Sequence, residues 1–198
     1  MKKDANSHFY QNYADALAKQ YNSVDFVEVH KGWLPVVPRL SGLNILDVGA
    51  GSGRDAKALA QMNNQVTAIE PSKAMAEHGK QLTCKAVLWI NDSLPSLATL
   101  QGKKFDLILV SAVWMHLCRE DQHESLVRFK ELMSPNGYLV ITLRHGDFED
   151  SRTIGLVDAE DTIQRAISLG ITLTDDSSTE DNLNRSSIKW QTLVFRND

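Results

Sequence analysis

Short apolar runs separated by longer stretches of mixed polarity set the rhythm of this chain. Asn44-Ile-Leu-Asp-Val48, Phe105-Asp-Leu-Ile-Leu-Val110 and Tyr138-Leu-Val-Ile-Thr142 are almost continuously apolar and only five or six residues long, which suits strands buried on both faces of a parallel sheet. The pattern predicts strands at 44–48, 65–69, 86–90, 105–110, 137–143, 171–175 and 189–196, and helices at 54–62, 72–80, 94–100, 119–133 and 157–169. Strands and helices alternate, so the expected class is α/β: a doubly wound, mostly parallel sheet with helices on both faces. Ser134-Pro-Asn-Gly137 reads as a stop between helix and strand, the proline unable to continue a helix and Gly137 supplying positive φ. The polar stretch Asp175–Asn182 reads as the connection between the last two strands. No internal repeat or low-complexity linker divides the chain. Residues 1–40 are expected to form a helical cap on the same structural unit as the main domain, residues 41–198.

The first strand runs into Gly49-Ala-Gly-Ser-Gly53 and then a helix start. Glycine has no Cβ and tolerates φ > 0, so such a turn curls tightly and lets a ligand lie against the main chain. The helix that follows points unpaired N–H groups at the same place. A dinucleotide fingerprint requires G-x-G-x-x-G, but Arg54 stands where its third glycine would be, which disfavours NAD and FAD. Glu70 ends the second strand nineteen residues after Gly51, where nucleotide sites of α/β sheets place a carboxylate for the ribose hydroxyls.

With these residues the chain resembles the class I S-adenosylmethionine-dependent methyltransferases. The matching segments are Asp47-Val-Gly-Ala-Gly-Ser-Gly53, Glu70-Pro-Ser-Lys-Ala-Met75, Asn91-Asp-Ser-Leu94, Phe105–Trp114 and Leu132–Thr142, so the likeness covers about residues 40 to 145. It implies a seven-stranded sheet in the order 3-2-1-4-5-7-6 with the last strand antiparallel. It also implies S-adenosylmethionine as cofactor. Under this resemblance Glu70, followed by Pro71, takes the ribose hydroxyls, and the amides around Gly49, Ala50, Gly51 and Gly53 approach the methionyl part. Asp47 orders the loop and meets the cofactor's amino group. Asp92 accepts from the adenine amino group, the amide of Ser93 or Leu94 serves a ring nitrogen, and Met75 and Leu94 wall the purine. Ser111 completes the set. Asp92 and Ser93 equally suit a helix N-cap, a role compatible with the first.

Composition narrows the partners. The 198 residues are 42% hydrophobic, enough for one full core, and carry a net charge of −4. No basic cluster is longer than a pair such as Lys103-Lys104, so free nucleic acid is not an expected partner. Cys84 and Cys118 lack metal-ligand spacing and are too few for a secreted disulfide scaffold. No metal is expected, nor a signal peptide or membrane span, which leaves a cytoplasmic monomer or homodimer acting on a small-molecule acceptor.

Methyl transfer is an in-line displacement, so much of its rate can come from alignment in a dry pocket. A base is needed only if the acceptor must lose a proton. His145, after the fifth strand, and His116, after the fourth, are the catalytic candidates. For His116 helix capping or packing is the favoured reading, whereas for His145 a loop role stands level with substrate contact. Arg144 and Trp114 are expected in the acceptor pocket, although Trp114 also suits the core. In the cap, Phe26, His30 and Trp33 recur at helical spacing, a stripe that suits a core face or, with Tyr13, a lid over the acceptor. Ser111-Ala-Val-Trp114 lacks the Asn/Asp-Pro-Pro-aromatic motif of adenine-base methyltransferases, the Pro-Cys nucleophile of cytosine C5 enzymes, and the acidic residue of polyamine synthases. The expected function is methyl transfer to an O, N or S atom of a small molecule. A tRNA or protein methyltransferase, or a cofactor-binding regulatory subunit without turnover, are the alternatives.

Overall fold

The computed structural model describes residues 2–183 and 185–198, the side chains of residues 2–5 and 7 excepted. Among the described residues one sheet is built from β1 (Asn44–Val48), β2 (Gln65–Ile69), β3 (Val87–Ile90), β4 (Phe105–Val110), β5 (Met133–His145), β6 (Thr172–Glu180) and β7 (Lys189–Arg196). Their order is β3-β2-β1-β4-β5-β7-β6. β7 runs antiparallel to both of its neighbours, and the other pairs are parallel. The order expected from the resemblance is the order found.

Period-two alternation divides the core between the two faces. On β4, Ile108 and Val110 join one cluster while Leu107 and Leu109 join the other; on β5, Leu139, Ile141 and Leu143 oppose Val140. The first cluster is closed by α6 (Arg119–Leu132) and α7 (Ala159–Ser168) through residues such as Leu126, Phe129 and Ala166. The second is closed by α3 (Phe26–His30), the turn after it and α4 (Arg54–Gln61), through Phe26, Trp33, Ala56 and Leu59. The amino-terminal α1 (Lys2–Asn12) and α2 (Ala14–Tyr21) lie against α5 (Lys73–Thr83), where Ala14 and Leu17 bury Met75.

Three elements differ from expectation. Residues 94–100 do not form a helix: Pro95 lacks an N–H donor, Leu97 takes a left-handed φ of 43°, and only a single 3₁₀ turn, Ala98–Leu100, follows. The expected stop at Ser134–Gly137 is present as a change of direction, since α6 ends at Leu132 and β5 already begins at Met133. Its left-handed residue is Asn136 (φ 59°) rather than Gly137. Glycine is required at 137 because a Cβ there would lie 2.9 to 3.3 Å from the carbonyl oxygens of Ser134, Phe105 and Asp106. The polar stretch beginning at Asp175 is mostly strand, not connection. β6 is an edge strand whose backbone pairs with β7 as far as Glu180↔Lys189, so every second side chain (Thr174, Asp176, Ser178, Glu180) faces water at no cost to the ladder.

The chain order reverses between β1 and β4, both of whose loops leave from the carboxyl end of the sheet. Open α/β sheets bind ligands in the crevice at that point.

Candidate active site

Beyond the carboxyl ends of β1, β2, β4 and β5 lies a cavity of about 510 Å³, within the usual range for cofactor and small-molecule sites. The glycine turn is one wall. Gly49 and Ala50 both donate backbone N–H to the Ile69 carbonyl, at 2.8 and 2.9 Å, which ties the turn to the tip of β2. Gly51 has φ 55°, and a Cβ there would meet nothing closer than Met75 Cε at 3.6 Å. That side of the turn is open to the cavity, as close approach of a ligand requires. Gly53 serves a different end. A Cβ there would stand 2.9 Å from Gly79 Cα and 3.1 Å from Trp89, so this glycine lets α4 start hard against α5. Gly53 is buried and does not line the cavity, which corrects its expected role as a cofactor contact to one in helix packing.

Glu70 lies where the sequence placed it. Its Oε2 accepts from the Gly51 amide at 2.9 Å and its Oε1 from the Ser72 amide at 2.7 Å. Burial pushes this carboxyl up to about 7, against the lowering effect of the two amides. Each oxygen keeps a further lone pair for a hydroxyl donor. Gly49, Ala50, Gly51, Pro71, Met75, Ser93, Leu94 and Ser111 also line the cavity.

Asp47 and Asp92 do not line it, which corrects two expected contacts. Asp47 sits beneath the turn, bonded to the Ala56 amide, and burial together with the neighbouring Asp55 holds its carboxyl well above the usual range. Asp92 is fully engaged by its own loop. It accepts from Ser93 N at 2.7 Å, Thr99 N at 2.9 Å and Thr99 Oγ1 at 2.6 Å, which is the capping role, here closing a turn instead of a helix.

The far end of the cavity is built by α1, the loop after β4 and the loop after β5. The Asn6 amide pairs with the Thr153 backbone, donating to its carbonyl at 3.1 Å and accepting from its N–H at 2.9 Å. This fixes the amide orientation, so the remaining Nδ2 hydrogen meets His116 Nδ1 at 3.1 Å and makes that nitrogen an acceptor. The ring hydrogen of His116 then sits on Nε2, 3.0 Å from Tyr10 Oη. Burial, followed by the charge of Arg152, lowers His116 to about 4. A histidine whose folded pKa lies below its ordinary 6.5 stabilises the fold fully above pH 6.5 and loses that contribution as pH falls towards 4. Between pH 6.5 and 4 the melting temperature of the wild type should therefore drop relative to that of His116→Asn, the raised carboxyl of Glu70 acting in the opposite sense in both proteins. Parallel pH profiles in the two proteins would remove His116 from the acid response.

Arg152 links this end together. Its Nη1 lies 3.3 Å from both Tyr10 Oη and Tyr21 Oη, and it is ion-paired with Asp150. The ring of Phe148 lies 4.1 Å from the Arg152 guanidinium carbon and 4.0 Å from that of Arg144, and it stacks on His116 at 5.5 Å. Asn6, Tyr10, Tyr21, Phe148 and Arg152 were not singled out from the sequence. Tyr13, the residue expected here, falls between α1 and α2, is 55% exposed and does not line the cavity, whereas Tyr10, one turn earlier, does.

Arg144 lines the cavity as expected; His145 does not. Thr142 and Arg144 project from one face of β5 towards the cavity, beside their β7 partners Thr192 and Trp190, whereas His145 takes the opposite side of the pleat and reaches Gln191 at 3.0 Å, exposed to solvent. Trp114 is fully buried in the core and donates to Thr162 Oγ1 at 3.2 Å. His30 and Trp33 are core as well, not lid. Trp33 Nε1 can only donate, so His30 Nδ1 accepts from it at 2.8 Å and the ring hydrogen sits on Nε2, 2.9 Å from Asp55 Oδ2.

Residues 46–141 match the family model described as a methyltransferase domain. The chain is 32% identical over 104 residues to an uncharacterised methyltransferase of Alkaliphilus oremlandii, covering 48% of this chain and 43% of that one. It is 27% identical over 122 residues to a ubiquinone biosynthesis O-methyltransferase of Bradyrhizobium diazoefficiens, covering 61% and 47%. It thus spans about half the length of these relatives. Magnesium protoporphyrin IX methyltransferase of Synechocystis PCC 6803, solved with bound SAH, shares the fold with a TM-score of 0.74 at 15% identity over 97% of this chain and 99% of that one. Residues 46–141 thus match a methyltransferase domain, and the strand order and the glycine turn ending opposite Glu70 are those implied by the resemblance to the class I S-adenosylmethionine-dependent methyltransferases.

Proposed function

We propose that this protein transfers the methyl group of S-adenosylmethionine to an O, N or S atom of a small-molecule acceptor. When bound, that cofactor supplies an electrophilic methyl group on a sulfonium. The observation that carries the reading is the open side of Gly51 beside Glu70, in a cavity that continues to the group around Arg144 and His116. Glu70 holds the ribose hydroxyls, the amides of the glycine turn face the methionyl part, and Met75, Ser93 and Leu94 contact the adenine. The buried aromatic wall at the far end excludes water and aligns the acceptor, the two effects on which a displacement most depends. The acidic balance of −4 supports a small-molecule acceptor over free nucleic acid, and the proposal is of a cytoplasmic monomer or homodimer. Among the described residues no helix is long and apolar enough to cross a membrane.

Incubation with methyl-labelled cofactor and a metabolite extract, beside RNA and protein fractions, tests this. Label is expected in the small-molecule fraction. Label confined to RNA or protein would move the reading to a macromolecular acceptor, and tight cofactor binding with no transfer to any fraction would leave a regulatory subunit.

His145→Ala should change turnover by less than about threefold, because the side chain lies outside the cavity. A loss of about 10²-fold, the usual effect of removing a proton-transfer group, would return it to the catalytic machinery. The pH dependence of cofactor binding has a definite sign. Glu70 is raised to about 7 without ligand, whereas hydroxyl donors favour its ionised form. Affinity for S-adenosylhomocysteine should therefore rise from pH 6 to pH 8 with proton release. Calorimetry in buffers of differing ionisation enthalpy reads this, and no proton release would remove Glu70 from the contact.

A further inference from the structure

We propose that the acceptor carries a carboxylate and that Arg144 binds it. This deepens the proposed function and rests on that reading for the word acceptor, although the anion site itself does not.

The cavity wall holds four arginines, Arg54, Arg144, Arg152 and Arg185. Three of them are each held by a carboxylate. Arg54 meets Asp55 through Nε at 2.6 Å and Nη2 at 3.0 Å. Arg152 meets Asp150 through Nε at 2.9 Å and Nη2 at 2.6 Å. Arg185 meets Asp181 through Nε at 2.9 Å and Nη2 at 2.6 Å. Arg144 has no carboxylate partner among the described residues. Its side chain is buried, the residue being 3% exposed, and its one hydrogen bond runs from Nη2 to the Asp147 carbonyl at 2.7 Å. Nε and Nη1 are buried without any acceptor. Leaving such donors unpaired is costly, so a buried guanidinium facing a cavity with two idle nitrogens marks a place where an anion completes the set.

The nearby carboxylates cannot swing across to serve it. Asp181 already accepts from the Leu183 and Arg185 amides, Arg185 Nε and Nη2, and Trp190 Nε1. Asp150 accepts from the Arg152 amide as well as from its guanidinium. Phe148 supports the Arg144 guanidinium from one side, 4.0 Å from its centre, which restricts its plane and prepares it for an oriented partner. Burial and the charges of Arg185 and Arg152 hold Arg144 below its ordinary pKa, so a negative charge is what this end of the cavity lacks.

One uncompensated guanidinium calls for one negative charge, which favours a carboxylate over a dianionic phosphate. Arg144 stands on the same face of β5 as Thr142, whose Oγ1 accepts from the Ala112 amide at 2.7 Å, and both Ala112 and its neighbour Ser111 line the cavity between Arg144 and the glycine turn. An acceptor anchored at Arg144 thus directs its remaining length towards the cofactor end.

The test uses the full-length protein with and without saturating S-adenosylhomocysteine. A panel of aliphatic and aromatic hydroxy- and amino-acids, their matched primary amides, and phenyl phosphate are titrated by calorimetry and ligand-observed NMR. At least one acid should bind about tenfold or more tightly than its amide, the usual weight of a charge-assisted hydrogen bond. Arg144→Gln should abolish that preference and leave S-adenosylhomocysteine affinity within about twofold of wild type; Arg144→Lys should retain part of it. Equal binding of acids and amides to the wild type, no binding of any acid at millimolar concentration, or a preference that survives Arg144→Gln would overturn the proposal. Phenyl phosphate binding more tightly than every acid would overturn the carboxylate. The wild-type contrast between acid and amide stands even if Arg144→Gln does not fold. Failure to bind S-adenosylhomocysteine, with the acid preference intact, would sink the methyltransferase reading and leave the anion site.

Discussion

Glu70→Ala should weaken S-adenosylhomocysteine binding by about 10²-fold or more, and Gly51→Val should abolish measurable binding. The Glu70 carboxylate is 8% exposed and already oriented by the Gly51 and Ser72 amides, so ribose hydroxyls would meet it desolvated and fixed. Hydrogen bonds to a charged group contribute about 1.5–3 kcal/mol each, and two of them account for the expected factor. Valine at 51 would be placed at φ 55°, a conformation that β-branched residues avoid, and its side chain would project into the space left open beside Met75. Far-ultraviolet dichroism and thermal melting separate loss of binding from loss of fold. Unchanged affinity in both variants, with the fold intact, would remove this turn from the cofactor site.

Asp55→Ala should cost about 3 kcal/mol of stability, which for a domain of this size lowers the melting temperature by roughly 6–12 °C. Asp55 is 6% exposed and lies between Arg54 and His30. In spite of burial, the His30 ring and the Arg54 guanidinium on either side press its carboxyl well below the usual range. Its contribution is present above the ordinary carboxylate pKa of 3.8 and is lost only as pH falls well below that value. Removing the carboxylate strands the His30 Nε2–H in the core and leaves Arg54 unpaired beside Asp47. Since Arg54 keeps some contact with solvent, the estimate stays at the low end for a broken buried pair. A shift of less than about 2 °C would show that the contact between Asp55 and His30 contributes little, and that α3 is held against α4 by the packing of Phe26 and Trp33 instead.

The strands were legible where burial on both faces forces continuous apolar composition: the bounds 44–48, 65–69, 105–110 and 189–196 are those observed. β6 was expected to end at 175 but runs on to Glu180, because an edge strand can be polar and its extent is decided by backbone pairing with β7 rather than by its own side chains. The helix expected at 94–100 failed for a local reason, since Asp92 and Thr99 offer the backbone a competing turn.

Within the site, the glycine turn and Glu70 could be found from the sequence because a tight turn, a close approach and a strand-tip carboxylate each demand particular residue types at a particular spacing. Residues whose role depends on the direction of a side chain could not. Arg144 and His145 are adjacent in the chain, yet the pleat of β5 sends one into the cavity and the other to solvent. The register of β5 against β7 decided which was which, and an alternation argument carried forward from Val140 through Thr142 would have favoured Arg144. Gly49, Gly51 and Gly53 look alike in sequence, but only contacts with Gly79 and Trp89 show that Gly53 serves helix packing. The stripe of Phe26, His30 and Trp33 was visible as a stripe, while its partner, Asp55 of α4, was not. By itself the sequence determined the class of sheet, the turn and the acidic tip, because these follow from local conformation and from burial along a single element. The tertiary structure alone decided the far end of the cavity, because Asn6, Tyr10, His116, Phe148 and Arg152 come from three separate segments and meet only when those segments pack.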